Sequence, residues 1–335
     1  MVVETTEAEA LLVSLERVLQ YVQLPQEEFE LLTDGSLGTA AALAVAGHEA
    51  MLPSPPPEWP STGEVEFRGI RLRYRPGMPA ALDDFSLRAA PHQRIGIVGR
   101  TGAGKSTVAA ALFRLVQPEA GSILVDGIDI LRLGLDDARS RAACLIPQDP
   151  WLFSGSIRAN IDPFEQFEDE MIWEALDAAR LGHVLREAGI APGAHGNHKG
   201  AGLQAHVDEG GANFSAGQRQ LVCLARALLR KPRILVMDEA SASVDRATDS
   251  AIQATIRQNF RGSTIFTIAH RLETICDYDL ICVIAEGRVI EVGPPAVLLE
   301  QGRRSTFAAM VDSAGEEAAA HLRALACGES SSSYE

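Results

Sequence analysis

The sequence predicts an α/β fold with a largely parallel core sheet, on three observations. Short apolar runs, Ile95-Gly96-Ile97-Val98, Ile234-Leu235-Val236-Met237 and Thr264-Ile265-Phe266-Thr267-Ile268, alternate with helical patterns, as buried strands do when helices cover both faces of a sheet. Between them, from about Ser156 to Leu229, lies a stretch rich in helix formers such as Met171-Ile172-Trp173-Glu174-Ala175-Leu176 and without a buried-strand run; it reads as a helical insertion into the sheet domain, about 156–229. With 335 residues, 46% apolar and 22% charged, the chain can bury a substantial core as one large domain or two small ones.

In chain order, Leu11, Leu15, Val18, Leu19 and Val22 recur at helical spacing between Glu7 and Gln23, with Glu16 and Arg17 on another face, which predicts one amphipathic helix within residues 1–26. By periodicity alone it either docks back onto the chain or is the tail of something missing. Residues 27–60 read as a linker: 33–50 are small and weakly patterned, and Leu52-Pro53-Ser54-Pro55-Pro56-Pro57 can hold neither helix nor ladder because proline lacks the amide donor. A globular domain is expected over 61–312. It opens with Val65-Glu66-Phe67 and Ile70-Arg71-Leu72-Arg73-Tyr74, which alternate like strands of a half-buried sheet. Residues 313–335 hold a short Ala-rich helical stretch followed by Ser and Glu residues too polar to pack, so a polar tail is expected.

Composition narrows the function classes. A formal net charge of −15 repels a phosphate backbone and no basic run builds a local patch, so nucleic acid is not the expected partner. Cys144, Cys223, Cys276, Cys282 and Cys327 are scattered through apolar contexts, without zinc-site spacing or disulfide density, which suits a reducing compartment. Met1 to Ala10 carry three glutamates and no basic segment. No stretch reaches the roughly 18 uninterrupted apolar residues needed to span a bilayer, so the chain is not expected to cross a membrane by itself.

The chemistry-bearing motif is Gly99-Arg100-Thr101-Gly102-Ala103-Gly104-Lys105-Ser106, a G-x-x-x-x-G-K-[ST] loop between an apolar strand and the helix-forming Thr107-Val108-Ala109-Ala110-Ala111-Leu112. Glycines let successive N–H groups turn inward around phosphate oxygens, and the following helix adds its positive end. Lys105 then places a charge near the β- and γ-phosphates, and the Ser106 hydroxyl can ligate Mg²⁺. The strand Ile234 to Met237 ends in Asp238-Glu239. Asp238 is the metal-side candidate, and Glu239 could accept a proton from, or orient, the water attacking the γ-phosphate. Asn213-Phe214-Ser215-Ala216-Gly217-Gln218 precedes a long helical pattern, Arg219 to Leu229. Ser215 and Gly217 there either cap a helix or form a second anion cradle.

This Ser-x-Gly-Gln element, shortly upstream of the Asp238-Glu239 strand, resembles the signature motif of ABC ATPases, and the family's other elements follow in order. Tyr74 matches the aromatic residue that stacks on adenine. Gln148, in Ile146-Pro147-Gln148-Asp149-Pro150, resembles the Q-loop glutamine that senses Mg²⁺ and the attacking water. Ser243-Val244-Asp245 resembles the D-loop, and His270, in Ala269-His270-Arg271-Leu272, the switch histidine near the γ-phosphate. The resemblance covers roughly Val65 to Val311. Finer wording, as in Gln148-Asp149-Pro150-Trp151-Leu152-Phe153-Ser154-Gly155, is similar to the second nucleotide-binding domain of subfamily C, the multidrug-resistance-protein-like exporters. Glu4 to Gln26 resembles the piece joining that subfamily's last membrane helix to the domain, which favours a remnant of a longer polypeptide.

The resemblance implies a P-loop ABC ATPase domain with a parallel core sheet, an antiparallel β subdomain and an inserted helical subdomain. It implies ATP bound by Tyr74, by Gly99, Arg100, Thr101, Gly102, Ala103, Gly104, Lys105, Ser106 and Thr107, and by Gln148, Ser215, Gly217, Gln218, Asp245 and His270. Mg²⁺ falls to Ser106, Gln148 and Asp238, and catalysis to Glu239, His270, Gln148 and Lys105. The implied partners are ABC membrane-spanning domains and a second nucleotide-binding domain in a head-to-tail ATP sandwich at the cytoplasmic face. Ser215 and Gly217 would face the neighbour's γ-phosphate, and this chain would be the competent hydrolytic half. The expected activity is ATP hydrolysis powering export of organic anions or amphipathic substrates; a nucleotide-sensing domain of a channel or channel regulator, or a soluble ABC ATPase, are the alternatives. Phe214 departs from the usual leucine, an apolar change that leaves the cradle's polar atoms intact. Residues 27–60 and 193–206, the latter with His195, His198 and His206, are longer than the family pattern, and the histidines read as a solvated loop in preference to a metal site.

Overall fold

The computed structural model describes residues 2–22, 54–182, 185, 202–238, 246–269 and 271–328. The chain divides into two units, Met1–Ser54 and Pro55–Glu335. In the first, α1 (Val2–Val22) is a helix that starts five residues before the expected Glu7, and Leu12, Leu15, Val18 and Leu19 stand exposed along it. The remainder of the expected linker up to residue 53 lies outside the described residues. Among the described residues, no helix is long and apolar enough to cross a membrane.

In the second unit the strands, in chain order, are β1 (Val65–Leu72), β2 (Leu82–Ala89), β3 (Arg94–Gly99), β4 (Ala120–Val125), β5 (Ile128–Asp129), β6 (Cys144–Ile146), β7 (Gly155–Ser156), β8 (His206–Val207), β9 (Ile234–Asp238), β10 (Thr264–Ile268), β11 (Leu280–Ala285) and β12 (Arg288–Gly293). The helices are α2 (Lys105–Leu112), α3 (Leu135–Ser140), α4 (Ile157–Ile161), α5 (Asp169–Ala178), α6 (Ala216–Arg230), α7 (Arg246–Asn259), α8 (Pro295–Glu300), α9 (Thr306–Asp312) and α10 (Glu316–Ala326). Among the described residues the central sheet has six strands in the order β12-β11-β3-β10-β9-β6, parallel except for β12; a four-stranded antiparallel sheet has the order β2-β1-β4-β5.

Period-two alternation places the central sheet between three cores. On β9, Ile234 and Val236 face one core and Leu235 and Met237 another; on β10, Phe266 and Ile268 divide from Ile265 in the same way. The first core joins the central sheet to the antiparallel one. There Phe67 of β1 stands edge-on to Phe85 of β2 at 5.4 Å and to Phe266 of β10 at 6.3 Å, so one ring links both sheets. The second core lies under α4, α5 and α6, the expected helical insertion, and the third packs β11 against the C-terminal helices. Cys282 is buried in the first core, which pushes its thiol up to about 12; it packs as an apolar side chain.

Four expectations need adjustment. The two expected opening strands are one, β1, whose register shifts between Phe67 and Ile70 around Gly69 at φ 56°. The helical insertion contains a short strand pair, β7 with β8, in which Val207 is buried. The domain begins before Ser61: the buried Trp59 donates its indole N–H to the Val125 carbonyl at 2.9 Å, and Arg141 donates to the carbonyls of Pro56, Pro57 and Trp59 while lying over the indole. Proline spacing signals what the backbone cannot do; the indole supplies the anchor. The Ala-rich stretch of the expected polar tail is α10, and it packs, with Ala319 and Leu322 buried in the third core. Residues 329–335 lie outside the described residues.

The third core is fastened by a carboxylate. Glu291 of β12 accepts from the Thr306 and Phe307 amides and from the Ser305 hydroxyl, capping α9 and holding the Glu291 carboxyl below its ordinary value against the opposing effect of burial. Because the folded value is depressed, the stabilisation is present above the ordinary carboxylate range and is lost as pH falls through the lowered value. Glu291→Gln should therefore cost about 1–2 kcal/mol in urea unfolding at pH 7, and the gap to wild type should shrink below about pH 4.

Candidate functional site

Parallel strands all point their C-terminal ends to one edge of a sheet, and four of the predicted site segments follow strands that end there. β3 runs into the Gly99 loop, β10 leads towards His270, β9 ends at Asp238 and β6 leads to Gln148. The registers align these exits, with Ile268 opposite both Ile97 and Asp238, and Met237 opposite Ile146. Crevices outside the carboxyl ends of parallel strands are where α/β folds bind ligands.

The loop between β3 and α2 is held by its own backbone. Ala103 N–H donates to the Arg100 carbonyl, Thr107 N–H to Gly104, and Gly287 N–H to Ala103. Gly104 caps α2 at φ 104°, where a Cβ would come within 2.4 Å of the Ala81 carbonyl oxygen, so only glycine fits. Gly102, at φ 81°, has open space around it. Arg100, Thr101, Gly102 and Ser106 are exposed at the mouth of the loop, whereas Ala103, Lys105 and Thr107 are buried. Lys105 is only 6% exposed, and its ammonium donates to the Gly99 carbonyl at 2.9 Å and to the Arg100 carbonyl at 3.2 Å. The ammonium thus sits inside the curl of the loop, at the positive end of α2, where an anion is stabilised twice.

Tyr74 joins this loop from the antiparallel sheet. Its ring is half exposed, and its hydroxyl shares a hydrogen bond with Thr107 Oγ1 at 3.1 Å, which places an aromatic face beside the first turn of α2. Ser106, Asp238 and Gln148 contribute a hydroxyl, a carboxylate and an amide oxygen from α2, β9 and the segment after β6. Hard oxygen donors with a single carboxylate suit Mg²⁺ shared with phosphate oxygens; among the described residues no cluster of three or more His, Cys, Asp or Glu side chains forms an all-protein cage. The donor set fits the ion.

Ser215 caps α6. Its Oγ accepts from the Gln218 amide at 3.2 Å, and the Gln218 side chain accepts from the Ser215 amide at 2.9 Å, a reciprocal capping box. A hydroxyl that accepts still has a proton to donate, so capping and anion binding are compatible on one serine. Gly217 lies in the first turn of α6, and Phe214 packs against the helical core. The two motif segments are also tied together by residues the sequence reading did not single out. Buried Gln220 of α6 donates to the Pro147 carbonyl at 3.4 Å, next to Gln148. Buried Asn160 donates to the Phe153 and Ser156 carbonyls, and Arg226 of α6 donates to the Asn160 and Trp151 carbonyls. A polar residue inside an apolar helical pattern, such as Gln220, was the available signal.

Glu239, Asp245 and His270 lie outside the described residues, as do His195 and His198. His206 is exposed on β8, 3.4 Å from the Asp208 carboxylate.

Residues 82–242 match the family model described as ABC transporter, and this part of the chain is an ABC transporter ATP-binding domain. It is 46% identical over 314 residues to the Multidrug resistance protein mrp-7 of Caenorhabditis elegans, covering 94% of this chain and 19% of that protein. It is 45% identical over 294 residues to the ABC transporter C family member 9 of Arabidopsis thaliana, covering 88% of this chain and 18% of that protein. The chain therefore spans about a fifth of the length of these relatives. Among solved structures, a bacterial Atm1-family ABC exporter with ATP bound superposes with a TM-score of 0.68 at 31% identity, over 83% of this chain and 47% of that one.

The capping box makes a local prediction. Ser215→Ala should cost about 1 kcal/mol in urea unfolding, and Ser215→Asp, which can still accept from the Gln218 amide, should recover most of it.

Proposed function

We propose that this domain binds and hydrolyses Mg²⁺-ATP to drive export by a subfamily C transporter, of which it is the second nucleotide-binding domain. The observation that carries the proposal is the Lys105 ammonium held inside a glycine-framed loop, at the same sheet edge from which Asp238 and Gln148 leave. The likeness to an exporter solved with ATP bound, and to subfamily C relatives, supports the same reading.

The residue roles proposed are those that the family resemblance implies. Tyr74 stacks on adenine. The amides of the loop from Gly99 to Thr107 surround the phosphates, and Lys105 exchanges a loop carbonyl for β- and γ-phosphate oxygens. Ser106, Asp238 and Gln148 hold Mg²⁺, which when bound neutralises charge on those oxygens. Glu239 accepts a proton from or orients the attacking water, and His270 meets the γ-phosphate. Ser215 and Gly217, with Gln218 and Asp245, face the nucleotide of a second domain. The γ-phosphate then joins two domains, and its removal shifts the balance between closed and open pairs. Membrane-spanning domains at the cytoplasmic face are the partners that convert this closure into transport.

Glu239→Gln should keep ATP binding and slow turnover by about 100-fold or more; an unchanged rate removes Glu239 from its role. Lys105→Ala should weaken ATP binding about tenfold or more in an equilibrium titration, as expected for losing a charge-assisted contact, and retained affinity would move the site elsewhere. In sedimentation, ATP should promote association of the Glu239→Gln chain with itself or a first-domain partner; a monomer under both conditions contradicts the sandwich.

A further inference from the structure

Asp249 is a buried carboxyl, 7% exposed, in the first turn of α7, and the residue roles above leave it unused. Its Oδ2 accepts a hydrogen bond from Arg271 Nη1 at 3.2 Å. Gln253 lies one turn along α7 from Asp249, and among the described residues Glu273 is the further charged neighbour, 3.6 Å from the other Arg271 nitrogen. Burial raises the Asp249 carboxyl above its ordinary value, against the opposing pull of Arg271. Arg271 is in turn held by its own carbonyl, which accepts from Thr274 Oγ1 at 2.7 Å as the chain enters a short helical turn, Leu272–Thr274.

What singles out this pair is its place in the chain. Arg271 directly follows His270 in the sequence after β10, and Asp249, on the helix that follows β9, comes four residues after Asp245 in the sequence. Buried ion pairs add little net stability, because desolvation offsets the attraction, but they are directional, and removing one partner leaves a charge stranded. A directional link between two neighbouring strand exits is suited to setting their relative position.

We propose that the Asp249–Arg271 pair is a positioning device for hydrolysis, holding the residue after His270 against the helix after Asp245 so that the two segments meet the γ-phosphate in register. Neither residue is catalytic; both act through the segments they join. The inference rests on the ATPase reading above.

The test compares wild type with Asp249→Asn, Arg271→Gln, Arg271→Lys and the Asp249→Asn/Arg271→Gln double variant. It uses the full chain, with a first-domain partner where turnover requires one. Arg271→Gln and Asp249→Asn should each lower kcat about tenfold while KM and ATP affinity stay within about twofold of wild type, since the Lys105 loop is untouched. Arg271→Lys should recover part of the loss, keeping the charge without the planar fork. The double variant should be no worse than the poorer single, because both remove one bond. Wild-type kcat in either single variant at equal folded fraction, or losses that multiply, would overturn the inference. A wild-type chain without turnover overturns the ATPase reading instead, and the pair is then judged by hydrogen exchange. Amides of 271–276 and 249–253 should exchange faster in Asp249→Asn while those of 94–99 and 105–112 hold; unchanged exchange in the first two segments overturns the pairing itself.

Discussion

Parallel pairing of β3 with β10, β10 with β9 and β9 with β6 brings four chain segments out of the sheet at one edge, and the proposed roles of Lys105, Asp238 and Gln148 presuppose it. The pairing needs both faces of the sheet covered, because parallel strands bury both. Here the faces are closed by different means. The antiparallel sheet seals one through the Phe67, Phe85 and Phe266 rings, and the helical insertion seals the other through Leu235, Met237, Ile265 and Ile146. A site built on strand ends inherits the rigidity of those two cores.

On that edge the chain concentrates positive potential without a basic patch. The whole protein is acidic, yet the loop after β3 turns toward its centre the end of α2 and the ammonium of Lys105, which its own carbonyls hold in place. An anion entering the loop replaces carbonyl partners with stronger, charged ones. The competition between loop carbonyl and phosphate for one ammonium is the local physics of the proposed binding step. Ser215 accepts from the Gln218 amide to cap α6, and a hydroxyl that accepts can still donate, which is the property the proposed second cradle draws on.

Much of this is legible in the amino-acid sequence. The three apolar runs are β3, β9 and β10, and the phosphate loop sits between a strand and a helix as its spacing requires. The helical insertion was visible as a missing strand period. What was not legible depends on contacts distant in sequence. Trp59 reaches Val125 across 66 positions, which turns the end of a proline-rich run into the first packed residues of the domain. α10 buries only Ala319 and Leu322, too few apolar positions to outweigh its polar composition in a one-dimensional reading. Asn160 and Asp249 carry no pattern in the sequence that marks them out; their burial and partners give them meaning.

The most direct measurement of the central claim is calorimetric titration of the folded, magnesium-replete chain with ATP, repeated with inorganic tripolyphosphate and with adenosine. If glycine-framed amides and Lys105 grip the phosphates, ATP binds saturably, tripolyphosphate competes for the same sites, and adenosine alone binds far more weakly. A folded chain that takes up no ATP with or without a companion domain, or that binds adenosine as tightly as ATP, contradicts the account.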